Sequence, residues 1–192
     1  SELRSFLGLA NVYRRFVPDF AKNARPPTLF LKKDGPESFE LDEAQMDAFC
    51  TLKDLLCSAE VLALPKKGCR YVLDTDASGG QVGCVLQQEQ DGALRPVGYW
   101  SKTLNAAEEN YSTTEKEALA VVWAVRLLRP YLEREKFTVR TDHAALRWMY
   151  TTTDGNARVL RWRLALAEFD FSVEYRPGRV KQAADAMSRL NI

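Results

Sequence analysis

The spacing of apolar residues changes along the chain, and these changes predict where helices and strands lie. From Asp42 to about Ser58 apolar residues recur every three or four positions, which predicts an amphipathic helix. From residue 70 to residue 100 they alternate or form short β-branched runs, which predicts strands. After Thr114 the chain is apolar on nearly every side as far as Val125, which is typical of a buried helix.

The part of the chain after Lys66 is predicted to form a mixed sheet. Its first three strands are joined by short turns such as Asp91-Gly92, so they form an antiparallel meander. The fourth strand is reached through the long buried helix, and a crossover of that length is needed for parallel pairing. The fold class is therefore α/β, with five strands flanked by helices. The strands are expected at 70–76, 81–88, 95–100, 136–141 and 169–175, and the later helices at 143–150, 159–168 and 181–190.

A small, mainly helical segment is predicted to precede this sheet. Arg25-Pro26-Pro27 should end any helix that reaches it, because proline disfavours the helical conformation of the residue before it. Pro65 to Gly68 has the composition of a linker. We therefore expect two domains, at residues 1–66 and 67–192.

Glu117 stands at the edge of the buried helix, where an ionised carboxylate is costly unless it is paired or binds a metal. Thr114 and Glu117 fit a capping box, in which Glu117 only closes the helix start. Ser112 and Glu115 fit the same pattern, and that register leaves Glu117 available for chemistry. The local sequence leaves both interpretations open.

Composition narrows the classes of function. The 192 residues are 46% hydrophobic and 28% charged, as in ordinary globular proteins, and no apolar run is long enough to cross a membrane. One histidine and four cysteines without a Cys-x-x-Cys pair argue against zinc and favour a reducing, intracellular compartment. From Lys67 to Ile192 there are 18 Lys/Arg and 16 Asp/Glu. If four of these acids bind metal, the remaining surplus of positive charge suits a polyanionic partner.

Four acids fall where one edge of the predicted sheet could gather them. Asp76 ends the first strand and Asp142 ends the fourth, while Glu117 begins the helix between them and Asp185 lies in the last helix. Clustered carboxylates usually bind hard cations, so Mg²⁺ or Mn²⁺ is the expected occupant, as a pair of ions. Each acid also has a structural interpretation, as a turn residue, an N-cap or a solvated side chain. Asp74 shares the strand face of Asp76 and is an alternative ligand.

The motifs that carry these acids resemble the C-terminal part of the reverse transcriptase of gypsy-type LTR retrotransposons. The similarity runs in order through LRSFLGLANVYRRFVPDF, LDTDAS, YSTTEKEALAVVWA, VRTDHAALRW and YRPGRVKQAADAMSR. Residues 1–66 resemble the polymerase thumb and tether, and residues 67–192 resemble the RNase H domain. The resemblance therefore implies an RNase H-like fold after a short helical segment.

The resemblance implies an endonuclease that hydrolyses the RNA strand of RNA–DNA hybrids with two Mg²⁺ or Mn²⁺ ions. By motif, Asp76, Glu117, Asp142 and Asp185 are the implied catalytic and metal-binding residues, and Glu117 is also expected to contact the ribose 2′-OH. The partners implied are the hybrid and the polymerase portion of the same polyprotein, in the cytoplasm, a virus-like particle or the nucleus, and a dimer is left open. Phosphate contacts are expected from basic residues of the last third: Arg158, Arg161, Arg163, Arg176, Arg179 and Lys181.

Some features depart from the family pattern. Ser78-Gly-Gly-Gln follows Asp76 where a bulkier run is usual, and Tyr175 stands where some RNases H have a mobile histidine. No Asp-Asp pair occurs, so the polymerase active site is absent from this chain. The alternative hypothesis is a catalytically silent RNase H-like interaction module derived from a retroelement.

Overall fold

A computed structural model describes residues 2–14, 16–30, 41–58, 61–78, 80–141, 143–152 and 157–175. Three N-terminal helices come first: α1 (Glu2–Val12), α2 (Phe20–Phe30) and α3 (Glu43–Leu56). The sheet strands are β1 (Tyr71–Ser78), β2 (Gln81–Gln90), β3 (Ala93–Thr103), β4 (Lys136–Thr141) and β5 (Asp170–Tyr175). The helices among them are α4 (Ala106–Glu109), α5 (Thr113–Leu127), α6 (Arg129–Leu132), α7 (His143–Thr151) and α8 (Ala157–Ala167). The predicted helix at 181–190 lies outside the described residues.

The five strands form one mixed sheet in the order β3-β2-β1-β4-β5. The meander is antiparallel, and β1 pairs in parallel with β4, which pairs in parallel with β5. Asp91 and Gly92 both have positive φ, at 52° and 73°, as the tight turn between β2 and β3 requires. The predicted fold class and the parallel pairing of the first and fourth strands are therefore confirmed.

One face of the sheet packs against α5, whose own residues are buried from Glu117 to Val122 and again at Ala124 and Val125. Leu73 of β1, Leu86 of β2 and Val139 of β4 are fully buried in the same hydrophobic cluster. α7 and α8 contribute Met149 and Trp162 to it. This cluster fixes α5 across the middle of the sheet, so the start of α5 has a defined position relative to the strand ends.

The N-terminal helices cover the opposite face of the sheet. Their cluster includes Tyr13, Leu52 and Val61, and it also takes in Val85 of β2, which is fully buried. The Tyr13 hydroxyl lies 2.6 Å from the Gln87 side-chain nitrogen, which donates a hydrogen bond to it. Burial is the main cause that raises the Tyr13 pKa well above its ordinary value. The two predicted domains thus share a core.

One sequence prediction for the N-terminal segment is wrong. The helix does not end at Arg25, because α2 continues through Pro26 and Pro27 to Phe30. Ala24 and Pro27 are buried, and the Thr28 hydroxyl donates a 2.6 Å hydrogen bond to the Ala24 carbonyl oxygen. Packing of this helix therefore outweighs the local penalty that proline imposes.

No helix in the described part of the chain combines the length and the apolar character that a membrane span needs.

Candidate active site

The first predicted site residue, Asp76, lies near the C-terminal end of β1. It is 7% exposed and pairs in register with Gly83 of β2. β1 and β4 run in parallel, and β4 ends at Thr141, so the two strands finish at the same edge of the sheet. Asp142 and Asp185 lie outside the described residues, and their place in the site stays a prediction.

Glu117 reaches the same end of β1 from α5. The backbone N–H of Ala77 donates to Glu117 Oε1 over 3.4 Å, so the carboxylate lies against the residue that follows Asp76. Glu117 is 9% exposed. The structure therefore brings the Glu117 carboxylate to the backbone at the end of β1, next to Asp76, which lies 41 positions earlier in the sequence.

The capping register explains why Glu117 is available there. Ser112 is the N-cap of α5, and its hydroxyl accepts from the Glu115 backbone N–H at 3.3 Å. Glu115 Oε2 in return accepts from the Ser112 N–H at 2.9 Å, which completes the capping box. The alternative box of Thr114 and Glu117 is therefore excluded, and Glu117 lies in the second turn.

This register gives a stability prediction. We expect Ser112→Ala to lower the free energy of unfolding by about 1 kcal/mol, because it removes the N-cap acceptor. Thr114→Ala is the matched control and should change it by only about 0.3 kcal/mol, since Thr114 lies inside the helix. Urea unfolding of both variants measures the difference. An equal loss in the two would contradict the observed register.

The chemistry of Asp76 and Glu117 fits a hard divalent cation. Both supply carboxylate oxygens, both are largely removed from water, and the Glu117 carboxylate lies against the strand end that carries Asp76. A cation would offset the repulsion and the burial cost of two such charges. Among the described residues, which do not include Asp142 or Asp185, no group of three or more His, Cys, Asp or Glu side chains is arranged as a metal site.

Asp74, the alternative ligand, lies one strand repeat before Asp76. Its register neighbour on β4 is Arg140, and Arg140 Nε donates to Glu174 Oε2 on β5 at 2.9 Å. Arg140 is only 8% exposed, so a nearby carboxylate helps to balance its charge. This position favours a structural role for Asp74 over metal binding.

Comparison with known proteins shows the family. Residues 67–169 match the model of the RNase H-like domain found in reverse transcriptase. The chain belongs to this family. It is 40% identical over 191 residues to the retrovirus-related Pol polyprotein from transposon 297 of Drosophila melanogaster, covering 100% of this chain and 18% of that protein. It is 39% identical over 202 residues to the Pol polyprotein from transposon gypsy of the same organism, covering 100% of this chain and 19% of that protein.

The fold is also found in a distant solved structure. The crystal structure of prototype foamy virus protease-reverse transcriptase superposes with a TM-score of 0.74 at 19% identity, over 92% of this chain and 24% of that one. The 39% identity to the transposon gypsy polyprotein confirms the resemblance to gypsy-type elements. The chain spans about a fifth of the length of these curated relatives. The thumb and tether interpretation of residues 1–66 stays a prediction.

The basic residues that were predicted to contact the hybrid differ from one another in exposure and in hydrogen-bond partners. Arg163 ties α8 to the end of α7, because its Nε and Nη2 donate to the carbonyl oxygens of Met149 and Thr152 at 2.6 and 2.7 Å. Arg161 is exposed, and its Nε donates to the Ala157 carbonyl oxygen at 3.2 Å. Arg176, Arg179 and Lys181 lie outside the described residues, so hybrid binding by this set remains a prediction.

Arg158, also predicted to contact the hybrid, lies in a cluster of charged and aromatic side chains, and its contact with the hybrid stays a prediction. Its guanidinium forms an ion pair with Glu115, the residue that closes the α5 capping box. It also lies over the rings of Tyr111 and Trp162, at 4.0 and 5.4 Å from their centroids. The Ser112-x-x-Glu115 pattern marked one half of this cluster. Nothing local could reveal the other half, since Arg158 is 43 positions away.

Proposed function

We propose that this RNase H-like domain hydrolyses the RNA strand of RNA–DNA hybrids, with two divalent cations, as part of a retrotransposon polyprotein. The observation that carries the proposal is the contact of the Glu117 carboxylate with the end of β1, the strand end that carries the buried Asp76. Two buried carboxylates at the carboxyl edge of a sheet suit metal-dependent phosphodiester chemistry better than a structural task. The family match and the relatives, which are Pol polyproteins, support the same activity.

Asp76 and Glu117 would hold Mg²⁺ or Mn²⁺, and the motif matches add Asp142 and Asp185. Bound ions would supply Lewis-acid activation of a water and charge stabilisation for the leaving oxygen of the phosphodiester. The protein's own contribution is to keep the carboxylates at fixed positions, with α5 packed on the sheet and the Ala77 N–H donating to Glu117. Such a fixed arrangement lowers the cost of reorganisation when substrate binds.

Selection of RNA over DNA would come from a contact to the ribose 2′-OH, the only group that differs at each sugar. The family motif assigns this contact to Glu117, whose carboxylate α5 brings to the end of β1. Exposed basic residues such as Arg161 would provide phosphate contacts. The polymerase portion of the polyprotein and the hybrid are the proposed partners.

The test is cleavage of an end-labelled RNA–DNA hybrid by the full 192-residue chain. We expect cleavage of the RNA strand with Mg²⁺ or Mn²⁺, none with EDTA, and none of a DNA duplex of the same sequence. Asp76→Asn should abolish cleavage while leaving the circular dichroism spectrum unchanged. A folded wild-type chain that leaves the hybrid intact with either metal would favour the alternative, a silent interaction module.

A further inference from the structure

A side chain of α8 contacts the first turn of α5. Arg158, at the start of α8, forms an ion pair with Glu115. Only 25% of the Arg158 side chain and 18% of the Glu115 side chain are exposed, so the pair is largely shielded from solvent. The aromatic rings of Tyr111 and Trp162 lie on the guanidinium and fix its position.

Glu115 has two roles in this cluster. Its Oε2 accepts from the Ser112 N–H at 2.9 Å and lies 3.0 Å from the Ser112 hydroxyl oxygen, while Oε1 receives Arg158. One carboxylate therefore closes the start of α5 and attaches that start to α8. The first turn of a helix lacks the internal hydrogen bonds that hold later turns, so such an attachment matters most there.

The site residue Glu117 follows Glu115 by two positions on the same helix. Its carboxylate accepts from the Ala77 N–H at the end of β1, with 3.4 Å between oxygen and nitrogen. The position of the first turn of α5 therefore decides whether Glu117 reaches this strand end. Small shifts of the turn would displace Glu117 from Asp76, and misplacement by about 1 Å is enough to reduce catalysis strongly.

We propose that Arg158 is a positioning residue: through Glu115 it fixes the first turn of α5 so that Glu117 is presented beside Asp76. This inference rests on the proposed function. It differs from the sequence prediction, in which Arg158 contacts the hybrid directly. A guanidinium suits the positioning role because it can lie flat on aromatic rings while its edge donates to a carboxylate, which a lysine ammonium cannot do.

The test compares variants of the full chain. Arg158→Ala removes the attachment, Arg158→Lys keeps its charge, and Glu115→Gln breaks the ion pair but retains a capping-box acceptor. Arg129→Ala is the matched control. Arg129 also forms ion pairs with two glutamates and lies over a phenylalanine ring, but at the other end of α5.

Three readouts are measured for each variant: hydrogen exchange of residues 111–117, Mn²⁺ affinity by titration calorimetry, and kcat and KM on the hybrid. We expect Arg158→Ala to raise exchange in that segment alone and to lower Mn²⁺ affinity and kcat by about tenfold each, with KM within about twofold. Glu115→Gln should change them in the same direction. The double variant Arg158→Ala/Glu115→Gln should have the same Mn²⁺ affinity and kcat as Arg158→Ala, because each substitution breaks the same ion pair.

Other results overturn the inference. One such result is that Arg158→Ala raises KM while kcat and hydrogen exchange stay unchanged, and Glu115→Gln has no effect. That combination would mean that Arg158 contacts the hybrid directly. Loss of thermal stability with unaltered Mn²⁺ affinity would make its role structural only. If Arg158→Ala does not fold, Arg158→Lys and Glu115→Gln decide the question. A wild-type chain that binds no Mn²⁺ and cleaves nothing refutes the proposed function, whereas the exchange data still show whether Arg158 holds the turn.

Discussion

Glu117→Gln is expected to lower hybrid cleavage by about a hundredfold or more, equivalent to roughly 3 kcal/mol of transition-state stabilisation. The amide keeps the size of the side chain and its place in α5, but it lacks the negative charge that a metal ion and the developing transition state require. Single-turnover cleavage of a labelled hybrid in Mg²⁺ measures the loss. Asp91→Asn is the matched control, because that carboxylate is exposed in the turn between β2 and β3.

The same variant should have the opposite effect on stability without metal. Glu117 is a buried carboxylate at the end of β1, so replacing it with a neutral amide relieves the cost of burying its charge. We expect its melting temperature in EDTA to exceed that of the wild type by about 2–4 °C. Adding Mg²⁺ should stabilise the wild type more than the variant, since ligands stabilise the state that binds them. A variant that is less stable in EDTA would mean that Glu117 supports the fold instead.

The fold was largely predictable because its signals are local and repeated. Alternation in β1 and β2, the Asp91-Gly92 turn and the length of the crossover through α5 together determine which strands pair and in which direction. Each signal constrains the others, because a parallel first and fourth strand needs the connection that α5 provides. The path of α2 through Pro26 and Pro27 was not predictable in this way, since it depends on how α2 packs against neighbouring helices, which no local pattern specifies.

The candidate site was predictable only in part. The position of Asp76 at the end of β1 was predictable because the sequence pattern shows where that strand ends. Glu117 was identified as a candidate because an ionisable residue is unusual in a buried helix such as α5. The local pattern could not decide between the Ser112 and Thr114 caps, because both boxes satisfy it. Only the family resemblance favoured Glu115 as the capping residue and Glu117 as the catalytic one, and the structure confirms the Ser112 cap. The contacts of Arg158 were also unpredictable, because its partners Tyr111 and Glu115 lie more than 40 positions away in the sequence.

Deleting residues 1–66 is expected to destabilise the RNase H-like domain severely. The deletion uncovers the sheet face on which α1 and α3 pack, where Val85 is fully buried and Tyr99 packs against the same cluster. It also takes away the Tyr13 hydroxyl, the partner of the Gln87 side chain. Exposed apolar area on a sheet face costs about 25 cal/mol per Å² and promotes association. We expect the melting temperature to fall by about 10 °C or more, or the fragment to precipitate.

A point substitution tests the contact between the N-terminal helices and the sheet without removing those helices. Tyr13→Phe in the full chain removes only the hydroxyl and leaves Gln87 without that acceptor, so we expect a loss of about 1–2 kcal/mol in the free energy of unfolding. Tyr150→Phe is the control, because Tyr150 is exposed and its hydroxyl loss should cost little. Thermal and urea unfolding, with light scattering for the fragment, measure both effects. A fragment 67–192 that melts like the full chain would show that the two segments fold independently despite the core they share at Val85.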